Sequence, residues 1–168
     1  MTEDGAPLRI RPPAQRLERK VVGYWAVRAL LGWLAVTVAE CAWLFFRHDG
    51  PDSWHRWGLV LTAVVAPLHI VVMPPWRYRV HRWETSADAV YVQSGWFVEE
   101  RRIAPFARVQ TVDTERGPLE QIFGLTTVTA TTASAAGPLK IQGLDDATGQ
   151  RVARELTAAA QATQGDAT

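Results

Sequence analysis

Apolar residues crowd the first half of the chain and give way to short alternating runs in the second, and that change of period divides the molecule. From Trp57 to Trp76 the segment WGLVLTAVVAPLHIVVMPPW holds no Asp, Glu, Lys or Arg over 20 residues, enough for a helix to cross a hydrocarbon core of roughly 30 Å. Tryptophan stands at both ends, Arg56 and Arg77 bracket the segment, Pro67 is expected to kink it, and Pro74 and Pro75 are expected to stop it. The segment before it, VVGYWAVRALLGWLAVTVAECAWLFF from Val21 to Phe46, is also apolar but includes Arg28 and Glu40. Arg28 lies near its beginning, where a long side chain reaches the headgroups. Glu40 lies deep enough to need a partner or a proton, at a cost of about 2 to 3 kcal/mol that the surrounding Leu, Val, Trp and Phe offset. Two buried helices of a soluble bundle would need amphipathic helices to cover them, and the rest of the sequence has none to spare. The pattern therefore predicts two transmembrane helices, 21–46 and 57–76, joined by an extracytoplasmic loop at 47–56, RHDGPDSWHR, rich in turn formers.

Beyond Trp76 the runs shorten, with a turn signal every 8 to 12 residues, as in a small antiparallel β structure. Strands are predicted at RYRVHRWET, AVYVQSG, WFVEERRIA, RVQTVDT, LTTVTATTA and PLKIQG, the last two joined across Ser134 to Gly137. Between them GPLEQIFG reads as a short helix, with Pro118 at its first position, Gly124 as its stop, and Leu119, Ile122 and Phe123 on one face. DDATGQRVARELTAAAQ reads as a terminal helix capped by Asp145 or Asp146, its buried stripe being Val152, Leu156 and Ala159. Gly149 weakens its first turn by about 1 kcal/mol relative to alanine. This gives a folded unit at 77–161, a flexible tail at 162–168, and a disordered tail at 1–20, where prolines and charges replace an apolar core.

Composition sharpens the membrane reading. Eight tryptophans are present, and Trp25, Trp33, Trp43, Trp54, Trp57 and Trp76 fall in or beside the apolar third, as residues that favour the interface do. Formal charge is +1, so the totals carry no nucleic-acid footprint. The lone Cys41 excludes an internal disulfide and a multi-cysteine metal site, and reads as packing. Arg9, Arg11, Arg16, Arg19 and Lys20 precede the first span, Arg77, Arg79 and Arg82 follow the second, and only Arg47 and Arg56 lie between. The positive-inside rule then puts both termini in the cytoplasm of a multi-pass protein.

The stretch from Arg77 to about Ala160, above all RYRVHRWE, RIAPFARVQTVDTERGPLEQIFGLTTVTATTASA and IQGL, resembles the bacterial pleckstrin-homology-like membrane-flanked domain family, the YdbS-like proteins. That family also carries two preceding spans. The resemblance implies a PH-like fold, a strongly bent seven-stranded antiparallel sheet, barrel- or sandwich-like, closed by a C-terminal helix, attached to a membrane hairpin in the bacterial cell membrane. It implies no enzymatic activity, no cofactor, and a partner that is another membrane protein of the family or a second copy. In the family pattern Arg116 and Glu120 fix the corner between strand and short helix, with Gly117, Pro118 and Gly124 shaping it.

No catalytic or metal-binding constellation stands out. His48, His55, His69 and His81 are scattered, and neither an HExxH nor a GxxxxGK pattern occurs. Asp113, Glu115 and Glu120 beside Arg116 read as intradomain ion pairing rather than an acid–base pair. The expected function is a membrane-anchored interaction module with a sheet edge open to an added strand. The alternatives are a transport or permeation subunit whose two spans oligomerise around an intramembrane pair of Glu40 with His69, and an anionic-lipid binder, with Arg101, Arg102, Arg108 and Lys140 as the partner- or lipid-facing set. From Arg77 onward 10 basic residues face 11 acidic ones, which argues against polybasic attachment to lipid.

Overall fold

The computed structural model describes residues 12–46, 53–86, 88–132 and 137–165. Two long antiparallel helices, α1 (Lys20–Phe46) and α2 (Ser53–Val80), lead into two antiparallel sheets and a final helix, α4 (Asp146–Gly165). The first sheet runs β1 (Gln15–Arg16), β2 (Arg82–Thr85), β3 (Ala89–Gly95), β4 (Glu99–Pro105) in that order, and the second runs β5 (Val109–Glu115), β6 (Leu125–Thr132), β7 (Leu139–Asp145). A short helix, α3 (Pro118–Phe123), links β5 to β6. This is the helical hairpin and PH-like β domain with a closing C-terminal helix that the sequence led us to expect. The bend between β4 and β5 is made by Pro105 and a 3₁₀ turn at Phe106–Arg108, whose buried Phe106 anchors the corner.

Several boundaries move, each for a local reason. Within the presumed tail 1–20, Gln15 and Arg16 pair with Trp83 and Arg82, Leu17 is buried, and the Glu18 N–H donates to the Gly143 carbonyl at 3.1 Å. Only residues 1–11 of that tail lie outside the described residues. Pro74 and Pro75 do not stop α2, and Arg77–Val80 are helical rather than part of a strand. Two prolines remove only two ladder donors at a φ that suits a helix, and tertiary contacts hold the turn beyond them. Helix α2 also begins at Ser53, so the connection is shorter than 47–56, with 47–52 outside the described residues. At the other end α4 continues to Gly165, into the presumed tail at 162–168.

The core joins both sheets, α4 and the first turns of α1, with Val21, Trp25, Trp83, Val90, Val109, Leu125, Ile141, Leu144, Val152 and Leu156 nearly or fully buried. In α4 the stripe is Val152, Leu156 and Ala160, with Ala159 at its margin. Asp145 caps this helix by accepting the Thr148 N–H at 3.0 Å, and hydrogen bonding from the Thr148 side chain first, then from that N–H, holds its carboxyl below the usual carboxylate range. Gly149 is where the helix meets β6, since a Cβ there would lie 3.0 Å from the Thr126 Cγ2. A register shift opposite Thr127 forms a bulge in β7 that contains Gly143, at φ 73°. A Cβ on Gly143 would meet Val21 Cγ2 at 2.5 Å, so the bulge is the seat on which α1 enters the domain. Of the expected face of α3, Phe123 packs edge-on against Tyr24 of α1, while Ile122 is exposed.

Candidate functional site

Three polar contacts set the register of the helical hairpin. The Arg77 guanidinium lies 4.4 Å over the Trp25 ring, the Trp33 indole N–H donates to His69 Nδ1 at 3.0 Å, and the Thr62 hydroxyl donates to Glu40 Oε1 at 2.9 Å. In each pair the two residue numbers have the same sum, as rigid antiparallel helices require. The structure therefore does not bring Glu40 and His69 together: they are offset by seven positions on α2, about two turns or ~10 Å. Glu40 Oε2 is buried with no partner among the described residues.

Where the helices meet the domain, Arg77 and His81 form a knot that the sequence reading assigned no role. His81 Nδ1 lies 2.9 Å from the Arg77 carbonyl, Arg77 Nε donates to His81 Nε2 at 3.5 Å, and Arg77 Nη2 donates to Gln142 Oε1 at 3.3 Å. The Trp25 ring meets the His81 ring edge-on at 5.2 Å. Burial, reinforced by the Arg77 charge, lowers the His81 pKa to about 4, so at neutral pH the ring is uncharged, with Nδ1–H donating and Nε2 accepting. Its sequence trace is the i, i+4 spacing of Arg77 and His81, legible only once α2 is known to pass its prolines.

The expected basic set divides between two adjoining clefts. Arg102 and Lys140 line a cleft of ≈ 240 Å³ with Arg77 and Arg82, against Glu100 as the single acidic residue. Arg101, Arg102 and Arg108 line a second of ≈ 300 Å³, between β4 and the ends of β6 and β7. Arg102 belongs to both and bridges the sheets, donating to the carbonyls of Pro138 at 2.9 Å and Gly137 at 3.1 Å. Arg101 pairs with Glu99 at 2.7 Å and Arg102 with Glu100 at 3.5 Å, whereas Arg108 and Lys140 are exposed and in no ion pair among the described residues. Strand β4 closes its sheet on one side, so its outer edge faces the second cleft.

The strand-to-helix corner is densely bonded. Glu120 accepts the Gly117 N–H and the Thr127 hydroxyl, both at 2.8 Å; Arg116 donates to the Leu125 carbonyl at 3.2 Å and pairs with Asp146 at 3.2 Å. Pro118 opens α3 and Gly124 ends it in the left-handed conformation. Arg116 thus takes Asp146 rather than Asp113, Glu115 or Glu120; of these three, Glu120 is bound into the corner, while Asp113 and Glu115 are exposed. Among the described residues no three His, Cys, Asp or Glu side chains cluster to hold a metal. His55, stacked on Trp43, and His69 lie along α2, and His48 is outside the described residues.

The family model described as "Bacterial PH domain" matches residues 24–160, which include all of α2, α1 from Tyr24 on, and every strand but β1. The "UPF0699 transmembrane protein YdbS" of Bacillus subtilis (strain 168) is 33% identical over 137 residues, covering 79% of this chain and 82% of that one. No solved structure matches.

Proposed function

This chain belongs to the bacterial PH domain family, and from that premise we propose that it is a non-enzymatic, membrane-anchored docking module. In this reading α1 and α2 cross the cell membrane as a hairpin, both termini and the β domain are cytoplasmic, and β4 receives an acidic, extended segment of a membrane protein partner. The observation that carries it is the outer edge of β4, paired by no strand among the described residues and flanked by Arg101, Arg102 and Arg108 along one groove. Main-chain bonds to an edge supply affinity and flanking side chains supply selectivity, while a tether at the membrane raises the local concentration of a partner held in the same bilayer. Charges on an edge also guard against unwanted pairing, which suits an edge kept for one acidic partner.

Native-level purification in mild detergent, compared with an Arg101→Glu/Arg108→Glu variant, tests this reading. Both side chains are exposed, so the variant keeps its unfolding midpoint. The expected result is a co-purifying membrane protein that the variant loses; recovery of a lone chain, or a partner retained by the variant, overturns it. A second reading is favoured by the ≈ 240 Å³ cleft, where four cations converge beside the end of α2. It would take an anionic lipid headgroup, and Lys140→Gln would then reduce co-purifying phosphatidylglycerol or cardiolipin without affecting the protein partner. The permeation reading has lost its paired site, because Glu40 and His69 each bond elsewhere.

A further inference from the structure

Three consecutive apolar residues form the loop between β3 and β4. Trp96, Phe97 and Val98 are 39%, 84% and 79% exposed, in a place where hairpin loops ordinarily carry turn-forming polar residues. The loop is built to hold this shape: Gly95 has φ 144°, and a Cβ there would strike the Val98 carbonyl. It is also seated on the apolar helix. The Trp76 indole N–H donates to the Trp96 carbonyl at 2.9 Å, and the Trp96 ring stands 5.7 Å from the ring of His69. His69 is seven residues before Trp76, which closes the charge-free stretch of α2, so the Trp96 ring reaches about two turns, ~10 Å, along the apolar helix.

We propose that this loop is a third membrane-contacting element, a wedge that enters the headgroup–acyl boundary beside α2, with lipid as its occupant. Its chemistry sets the depth. Glu99, Glu100 and Arg101 follow Val98 directly, and at a strand rise of about 3.3 Å per residue their charges stay at headgroup level while the three apolar side chains go below. The Trp76 indole satisfies a loop carbonyl that would otherwise be stranded in lipid. The consequence is a domain held in fixed orientation, with β4 beginning at the membrane surface. The inference rests on α1 and α2 crossing the bilayer, and not on any protein partner.

The test uses full-length protein in phosphatidylcholine/phosphatidylglycerol vesicles, in a Cys41→Ser background, with a nitroxide attached after Phe97→Cys, Leu34→Cys or Lys140→Cys. Accessibility to lipid-soluble oxygen is compared with accessibility to a water-soluble nickel chelate. The expected oxygen preference at position 97 is several-fold above that at 140 and approaches that at 34. A label at 97 matching the one at 140, or shielded from both reagents as under a protein partner, overturns the proposal. A loss of oxygen preference at 34 would instead overturn the spans. Phe97 points away from the core, so labelling it leaves the fold in place.

Discussion

The first turns of α1 and the turns that follow are alike in composition and unlike in surroundings. Val21 and Trp25 are 0% and 2% exposed, packed against β7 and the Arg77–His81 knot, whereas Leu30, Leu34 and Val38 are 52%, 55% and 58% exposed and face outward. On the proposed hairpin the same helix serves two solvents. Where it is buried by protein, each side chain fits a shape, and truncation leaves a void that neighbours only partly close. Where the proposed solvent is lipid, acyl chains fill what truncation vacates, and hydrocarbon is as apolar as the leucine it replaces.

The largest expected effect breaks this symmetry directly. Trp25→Ala should lower domain stability by about 3–5 kcal/mol, through the void and the loss of the Arg77 and His81 contacts, while Leu34→Ala should cost less than about 1 kcal/mol. Denaturant unfolding in detergent micelles, followed by hydrogen exchange of the β6 and β7 amides, measures both. Equal losses would mean that α1 has one solvent throughout.

The comparison also explains what was legible. Periodicity located both long helices, the strands of the two sheets, α3 and α4, because each buries a face large enough to leave a pattern. It could not see β1, since two residues have no period and their strand character comes from β2. Nor could it separate Val21 and Trp25 from the span, because apolar residues read alike whether protein or lipid covers them. The seventh strand of the PH-like domain was thus hidden in the presumed tail, and the α1 wall of its core in the presumed span. The pairing of Glu40 with His69 failed for a related reason: chemistry proposed a partner, while register, fixed by Trp25 with Arg77 and Trp33 with His69, decided the level.

A middle-sized effect tests the knot between the two regimes. His81 holds a pKa of about 4 in the fold against 6.5 when unfolded, so the unfolded chain binds the extra proton first as pH falls. The stability this implies is complete above pH 6.5 and is lost progressively as pH drops toward 4, by about 3 kcal/mol. Asp145 also loses stability in acid, but its carboxyl is held below the usual carboxylate range, so its contribution goes at lower pH. Unfolding midpoints between pH 7 and 4.5 should fall in the parent and stay flat in His81→Gln. A parallel fall in both would assign the acid sensitivity elsewhere.

The smallest effect lies deepest in the hairpin, where the comparison is sharpest. Thr62 donates to Glu40 across the helices at 2.9 Å, yet hydrogen bonds between membrane helices are worth only about 0.6 kcal/mol on average, because a freed hydroxyl finds the carbonyl of its own helix. Glu40→Gln keeps the accepting oxygen and should leave helix association within about 0.5 kcal/mol of the parent. A double-mutant cycle of Glu40→Leu with Thr62→Val should show coupling of similar size, and one of Glu40→Leu with His69→Leu almost none. If the second cycle gave the larger coupling, the register would have to slide by two turns. Trp25 would then leave Arg77, and the buried beginning of α1 would lose the contact that joins it to the knot.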